Sequence, residues 1–274
     1  MTRLQGVGDV SATRRERVAT MQRARRLASI AVVALTAAGG LSACRSEPDV
    51  AAYIGKSTIT QARVDAVYAD AERKLGTAVD DVRAQQSANP DPSAQPVPDE
   101  VKLPITRADV LTALVGSDVL GEIGKKRNVQ PAEVQTAAVA QQLGLPADAE
   151  YVGIYAKYRG YLSALLNGAP AGQISNADLR QVYDRFKAGG GLGPNPVNYE
   201  DFSTQLQPQD RDALARTVGL RDQLRTQTED LNLSVNPRYG VDELPLLPVD
   251  VQGGKSVNLI GLPLISGDPA VVDR

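Results

Sequence analysis

The sequence predicts a mainly α-helical protein with a short β-hairpin at the start of its folded domain. Over several long stretches, apolar residues recur every three or four positions, which is typical of helices with one buried face. Residues that favour helix N-termini precede most of these stretches. Near residue 50, in contrast, two short β-favouring runs flank a Gly-Lys pair, and this pattern indicates a strand, a turn and a second strand.

The hairpin is predicted over residues 50–60, with the Gly-Lys pair as its turn. Thr60 then suits the N-cap of a helix from about Gln61 to about Gln86. This helix carries one apolar stripe at helical spacing: Val64, Val67, Tyr68, Ala71, Leu75, Val79 and Val82. The stripe predicts that one face of the helix is buried.

A proline-rich insertion separates this helix from the next. Residues 87–105 contain five prolines, which exclude helix and favour extended backbone. The acids in this stretch lack the order of an EF-hand loop, so they are interpreted as solvated charge. The insertion is therefore predicted to be a linker or a long exposed loop.

The next helices have recognisable ends. Thr106 and Asp109 form a capping-box pattern, with Asp in place of the usual Glu or Gln. This strongly apolar helix is predicted to end near Asn128, where basic residues suit the negative end of the helix dipole. Pro131 suits the first turn of another helix, which is predicted to stop at Gly144.

A longer helix is predicted from about Asp148 to Asn167, and it carries a stripe of tyrosines. Core packing is the plainer interpretation of such a stripe. Tyr151, Tyr155 and Tyr158 are nevertheless candidates for lining a peptide-binding groove.

The C-terminal third starts with a helix whose N-cap is Ser175. Residues 187–198 follow as a loop rich in glycine and proline, which lacks the Lys-Ser/Thr pair of a phosphate-binding loop. Pro208 begins the last helix, and residues 233–240 are predicted to be extended. With four prolines and few helix signals, residues 241–274 are expected to form an irregular or disordered tail.

Residues 1–43 have the order of a secretion signal peptide. Arginines precede an apolar run of roughly a dozen residues, and small residues follow it. The run is shorter than the about 20 residues that span a bilayer. A compact basic region begins at Met21, which is therefore an alternative translation start.

The residues at the end of this signal, Leu41-Ser42-Ala43-Cys44, resemble the lipobox of bacterial lipoproteins. The resemblance implies cleavage after Ala43 and attachment of a diacylglycerol to Cys44. Two acyl chains hold a protein stably at a membrane. The expected location is therefore the extracytoplasmic face of the cell membrane, with the lipid as the anchor.

Composition excludes several classes of function. The chain has no histidine and one cysteine, which argues against His-based catalysis, thiol catalysis and metal sites built from His or Cys. Residues 1–43 hold seven of the 30 basic and two of the 32 acidic residues, so the chain without them has a net charge of −7. Such a chain lacks the basic surface of a nucleic-acid-binding protein. Neither nucleic acid nor a metal is expected as a partner, and no cofactor is expected.

The order of several short motifs resembles the N-terminal domain of SurA-type chaperones, the family that includes the extracellular PrsA foldases. The matching residues are Ile54-Gly55, Ile59-Thr60 and the segments 106–111, 127–134, 174–183 and 235–240. The resemblance implies a SurA N-terminal-like helical domain over residues 44–240, with residues 87–105 as an insertion. It also implies that the C-terminal helix returns to pack on this domain.

The resemblance implies chaperone- or holdase-like binding of unfolded or secreted polypeptides. Enzymatic members of the family carry a parvulin prolyl-isomerase domain before the last helix, and its site draws on histidines. This chain has only the glycine-rich loop at that place and no histidine, so no enzymatic activity is expected. The alternatives are a non-chaperone scaffold lipoprotein of the cell envelope and a degenerate peptidyl-prolyl isomerase.

Overall fold

The protein is described by a computed structural model that covers residues 49–89, 101–251 and 255–264. Seven α-helices and a few short strands make up this part of the chain. Helix accounts for 60% of it, which confirms the mainly α-helical fold class.

Several of the features predicted from the sequence involve residues outside these ranges. The signal peptide in residues 1–43, with its cleavage site at Ala43 and the alternative start at Met21, lies outside the described residues, as does Cys44. So do residues 90–100, the centre of the proline-rich insertion.

The predicted hairpin is present. β1 (Val50–Ile54) and β2 (Ser57–Thr60) pair antiparallel, and the turn between them holds Gly55 at a φ of 59°, a left-handed conformation that favours glycine. β1 is almost wholly buried. Thr60 accepts a hydrogen bond from the Arg63 amide at 3.1 Å and so caps the helix that follows.

α1 (Gln61–Ala88) ends two residues later than predicted. Its buried residues, Val64, Val67 and Ala71, all lie in its first turns. Farther along, Val82 exposes 43% of its surface. The apolar stripe of α1 is therefore buried only where the helix crosses the rest of the domain.

α2 (Arg107–Arg127) is the central helix, and more than half of its residues are buried. It starts with the predicted capping box. Thr106 accepts a hydrogen bond from the Asp109 amide at 3.2 Å, and the Asp109 carboxylate accepts one from the Thr106 amide at 2.8 Å. The helix ends at Asn128, which has a left-handed φ of 55°.

α3 (Thr136–Leu143) begins five residues after Pro131, so the prediction of a helix start at that proline is wrong. The backbone after Pro131 is hydrogen-bonded to α4 (Glu150–Asn167) instead: the Ala132 amide donates to the Gly160 carbonyl at 3.0 Å. This tertiary hydrogen bond replaces a first helical turn.

Three helices follow α4. α5 (Asn176–Ala188) is capped by Ser175, as predicted, through a second capping box. α6 (Tyr199–Gln205) is a short helix in a stretch where no element was predicted. α7 (Pro208–Asp230) begins at the predicted proline.

The prediction of an irregular or disordered tail is wrong for the described residues after 240. β4 (Glu243–Pro245) pairs antiparallel with β7 (Gly261–Pro263), and β5 (Pro248–Val251) pairs antiparallel with β6 (Lys255–Asn258). Four leucines in and beside these strands expose no more than 1%: Leu244, Leu246, Leu262 and Leu264. Their burial stabilises the strands, and the prolines are tolerated because each two-stranded ladder leaves edges that need no amide donor.

The chain after α7 returns to the hairpin. β3 (Ser234–Val235) pairs antiparallel with β1, which gives a sheet of order β2-β1-β3. The Gly55 amide donates to the Leu231 carbonyl at 2.6 Å, which holds the end of α7 at the hairpin turn. Along its own length, α7 packs against α4 and β7 more than against α1.

In the described part of the chain, buried apolar side chains gather in two clusters. The larger cluster surrounds α2 and includes the hairpin, α1, α4 and the leucines of β4 and β7. The smaller one lies between α5, α7 and the chain that joins β6 to β7. Its buried members are Val182, Leu214, Val218, Leu259 and Ile260.

Candidate functional site

The smaller cluster is open on one side, where it forms an apolar pocket of about 300 Å³. α5, α6, α7 and the segment around β5 supply its walls. Ten of the described residues line it; nine of them are apolar, and the tenth is Asp210. The apolar ones are Val182, Phe186, Phe202, Leu206, Ala213, Leu214, Leu247, Val249 and Leu259. A pocket of this composition suits an apolar group.

The helical walls follow from residue spacing. Val182 and Phe186 are four residues apart on α5, and therefore share one helix face. On α7, Ala213 and Leu214 lie three and four residues after Asp210, so each of them is a neighbour of Asp210 on the helix surface. Val182 and Leu214 expose 3% and 4% of their surface and form the floor of the pocket. Ala213 is exposed and lies at its mouth.

α6 closes one side of the pocket with Phe202 and, just after the helix, Leu206. No residue of α6 is buried. It is held to α5 by aromatic contacts, in which the Tyr183 ring centroid lies 5.4 Å from that of Phe202 and 5.8 Å from that of Tyr199. The Tyr183 hydroxyl also donates to the Val197 carbonyl at 2.8 Å. The position of α6 against α5 therefore depends on a few side-chain contacts.

The segment around β5 forms the opposite wall. Leu247 and Val249 are two residues apart, so they lie on one face of the extended chain. The Leu259 amide donates to the Leu247 carbonyl at 2.9 Å and closes this end of the pocket. A Cβ atom at Gly189 would come within 2.1 Å of the Val257 side chain, so a glycine is needed for β6 to lie against the end of α5.

A second, larger cleft of about 810 Å³ lies between the first turn of α2, α5, α7, β4 and β7, and it is polar. Two of its three arginines are committed to ion pairs. Arg185 donates to both carboxylate oxygens of Glu243, at 2.6 and 2.8 Å. Arg221 donates to Asp178 at 2.5 Å. These pairs fasten α5 to β4 and to α7, and they give the charged cleft a structural role.

The Asp178 carboxylate is stabilised in its ionised form. Burial alone would raise its pKa, but hydrogen bonds from Ser175 and Arg221 outweigh burial and lower the pKa below its ordinary value. The contact between α5 and α7 is therefore strongest when Asp178 carries its charge.

The tyrosine stripe of α4 belongs to the core. Tyr151 and Tyr158 expose 3% and 2% of their surface, which favours the core-packing interpretation of the stripe over the peptide-binding groove for these two candidates. Burial raises the pKa of both hydroxyls, and Tyr158 donates a hydrogen bond to the Pro245 carbonyl. Tyr155 is half-buried between them, with ring centroids 5.9 and 6.0 Å away, and does not line the apolar pocket.

Within residues 49–89, 101–251 and 255–264, no group of three or more His, Cys, Asp or Glu side chains is arranged to hold a metal ion. In the same part of the chain, no helix has both the length and the apolar character needed to cross a bilayer.

The residue patterns predicted the helices α5 and α7 but none of the other walls of the pocket. The missed residues are Phe202, Leu206, Leu247, Val249 and Leu259. A signal for α6 was present, because Asn198 stands three residues before Asp201 and accepts a hydrogen bond from its amide at 2.8 Å. The strand wall had a weaker signal, since a pair of apolar residues two positions apart is common in loops as well.

No protein-family model, curated protein or solved structure matches this chain. The resemblance to SurA-type chaperones therefore rests on the motifs quoted above, and a functional proposal rests on the chemistry of the pocket.

Proposed function

We propose that this protein is a lipid-anchored extracytoplasmic lipoprotein that binds unfolded or secreted polypeptides as a chaperone or holdase. The observation that carries the proposal is the open apolar pocket between α5, α6, α7 and β5. Membrane attachment is supported by the lipobox pattern that ends at Cys44. The activity requires apolar surface that a client segment can cover, and no bond-making group.

The pocket has the size for one or two large apolar side chains. A cavity of about 150 Å³ lined by Leu, Ile and Phe holds one benzene molecule. The volume of about 300 Å³ found here is twice that. Burial of one Leu or Phe side chain stabilises a complex by about 1.5–3 kcal/mol. Since about 1.4 kcal/mol is a factor of ten in affinity, one such contact makes a segment bind about 10- to 100-fold more tightly than the same segment without the apolar side chain.

The surrounding architecture supports a SurA N-terminal-like domain in part. A short hairpin precedes the long helix α1, and the strand after the last helix pairs with that hairpin. Packing of the last helix on α1 would also be expected of such a domain, and α7 packs mainly on α4 and β7 instead. The likeness is therefore proposed for the hairpin and the returning strand.

The test is suppression of client aggregation by the full-length protein in lipid nanodiscs, because detergent would itself occupy an apolar pocket. Ala213→Phe places a ring at the pocket mouth, and because Ala213 is exposed the core is left intact. Gln209→Phe adds the same ring at an exposed position of α7 that does not line the pocket. We expect the wild-type protein and Q209F to reduce light scattering by a thermally denatured client at equimolar amounts, and A213F to reduce it less.

Undiminished scattering with the wild-type protein would contradict holdase activity. Equal suppression by A213F and Q209F would assign the activity to another surface. Crosslinking in intact cells separates this function from the scaffold alternative. Many unfolded clients are expected, whereas a single stoichiometric partner would favour the scaffold.

A further inference from the structure

Among the residues that the structure describes, Asp210 is the one charged residue that lines the apolar pocket. We propose that the pocket prefers client segments in which the inserted apolar side chain is next to a lysine or arginine, because Asp210 pairs with that cation. This inference rests on the proposed function and adds a sequence preference to it.

Asp210 is placed to meet the flanking residues of a bound segment. It lies in the first turn of α7, one turn before Ala213 and Leu214, so all three share the helix face that lines the pocket. Because Asp210 is exposed, it lies at the mouth and not on the floor. A segment that inserts one apolar side chain therefore carries its neighbouring residues past this carboxylate.

The Asp210 carboxylate is available for such a pair. Within the described part of the chain it has no hydrogen-bond or ion-pair partner. Arg211, the next residue, donates instead to the carbonyls of Ser203 and Leu206 at the end of α6. The adjacent cation is thus engaged with backbone and does not pair with Asp210.

An aspartate in the first turn of a helix also interacts favourably with the helix dipole, and Asp210 has this role whatever the pocket binds. The two roles predict different measurements. The dipole interaction affects the stability of α7 and does not distinguish one client from another. Pairing with a client cation, in contrast, makes the affinity depend on the charge of the client, on the salt concentration and on the residue at position 210.

Three dye-labelled peptides test the inference. Each has a central Phe-Leu pair in an otherwise identical Gly-Ser sequence, flanked by Lys, Ser or Glu. Binding is measured by fluorescence anisotropy with the full-length protein in phosphatidylcholine nanodiscs, because a lysine peptide binds anionic lipid by itself. Empty nanodiscs are the blank. We expect the Lys peptide to bind about two- to fivefold more tightly than the Ser peptide, which is the range that an exposed ion pair supplies.

The Glu peptide should bind most weakly of the three. The differences should disappear in about 1 M salt, where the Debye length is about 3 Å. Asp210→Asn should abolish the order of affinities, and Asp210→Lys should reverse it. Asp212→Lys is the matched control, because Asp212 is exposed on the same helix outside the pocket and the change in net charge is the same. This control should keep the wild-type order.

Equal affinities for the three peptides, or the wild-type order retained in D210K, would overturn the inference and leave the proposed function standing. Loss of the order in D212K as well would assign the preference to net charge and overturn the inference too. Circular dichroism reports whether each variant folds, and D210N carries the test if D210K does not. Failure of all three peptides to bind, together with undiminished client aggregation, would overturn both the inference and the proposed function.

Discussion

Replacing Gly116 with alanine tests a close helix–helix contact in the core. Gly116 lies on α2, at the point where the Tyr158 side chain of α4 packs against this helix. A Cβ atom there would be 2.5 Å from Tyr158 Cδ2 and 2.9 Å from Leu244 Cδ1. These distances are shorter than van der Waals contact, so the ring or the leucine must move. Both side chains are buried, and the Tyr158 hydroxyl is bonded to the Pro245 carbonyl, so neither moves freely.

Two opposing effects set the size of the change. Alanine is about 1 kcal/mol more favourable than glycine inside a helix. Overpacking a core costs about 1–3 kcal/mol. Because the contact is so short and its partners are held, we place the cost in the upper part of this range. G116A should then lower the free energy of unfolding by about 1–2 kcal/mol.

Gly153→Ala is the matched control. Gly153 lies on α4, and nothing comes within 4 Å of a Cβ atom built there. Helix propensity alone then predicts that G153A raises the free energy of unfolding by about 0.5–1 kcal/mol. Urea denaturation followed by circular dichroism measures both variants. If G116A stabilises the protein as G153A does, Tyr158 does not pack on α2 as described and the reasoning is refuted.

Three further substitutions test local contacts. Thr106→Ala removes the capping box of α2 and should lower the free energy of unfolding by about 1 kcal/mol in urea; an unchanged value would show that the cap adds no stability. Asp178→Asn should destabilise the protein at neutral pH. Because folding lowers the pKa of Asp178, the unfolded state binds a proton at a higher pH than the folded state does. The difference in stability between the wild-type protein and D178N should therefore shrink as the pH falls below about 3.9. Urea midpoints across pH measure this, and a gap that stays constant would contradict it. Tyr183→Phe removes the hydrogen bond to Val197 and should speed amide hydrogen exchange in α6 with little change in α5, as measured by mass spectrometry; equal rates in both proteins would show that this bond does not hold α6.

Helix starts were largely predictable because the chemistry of a cap is local. Thr60, Thr106 and Ser175 each accept a hydrogen bond from the amide three residues later, so the signal and the structure lie in the same short stretch. Pro131 shows the limit of this rule. Its local pattern fits a first turn, but the next amide bonds to Gly160, which no local pattern reveals.

The tyrosines of α4 show a second limit. Their spacing predicts that they share a helix face, and it does not say whether that face meets protein or an open groove. α2 comes close enough to bury Tyr158 only because Gly116 lacks a side chain at the crossing. The Pro245 carbonyl then satisfies the hydroxyl from a strand that was expected to be irregular. Both partners are distant in sequence, so the pattern on α4 could not identify them.

The sequence by itself determined the mainly α-helical class, the hairpin, most helix starts and the chain's lack of histidine. Only the tertiary structure decided that residues 243–263 contain strands, that α6 forms a wall, and that α5, α7 and β5 meet around an open apolar pocket. The physical reason is the range of the interactions involved. Caps and turns act within about four residues, whereas strand pairing and apolar burial join segments whose meeting depends on the rest of the chain.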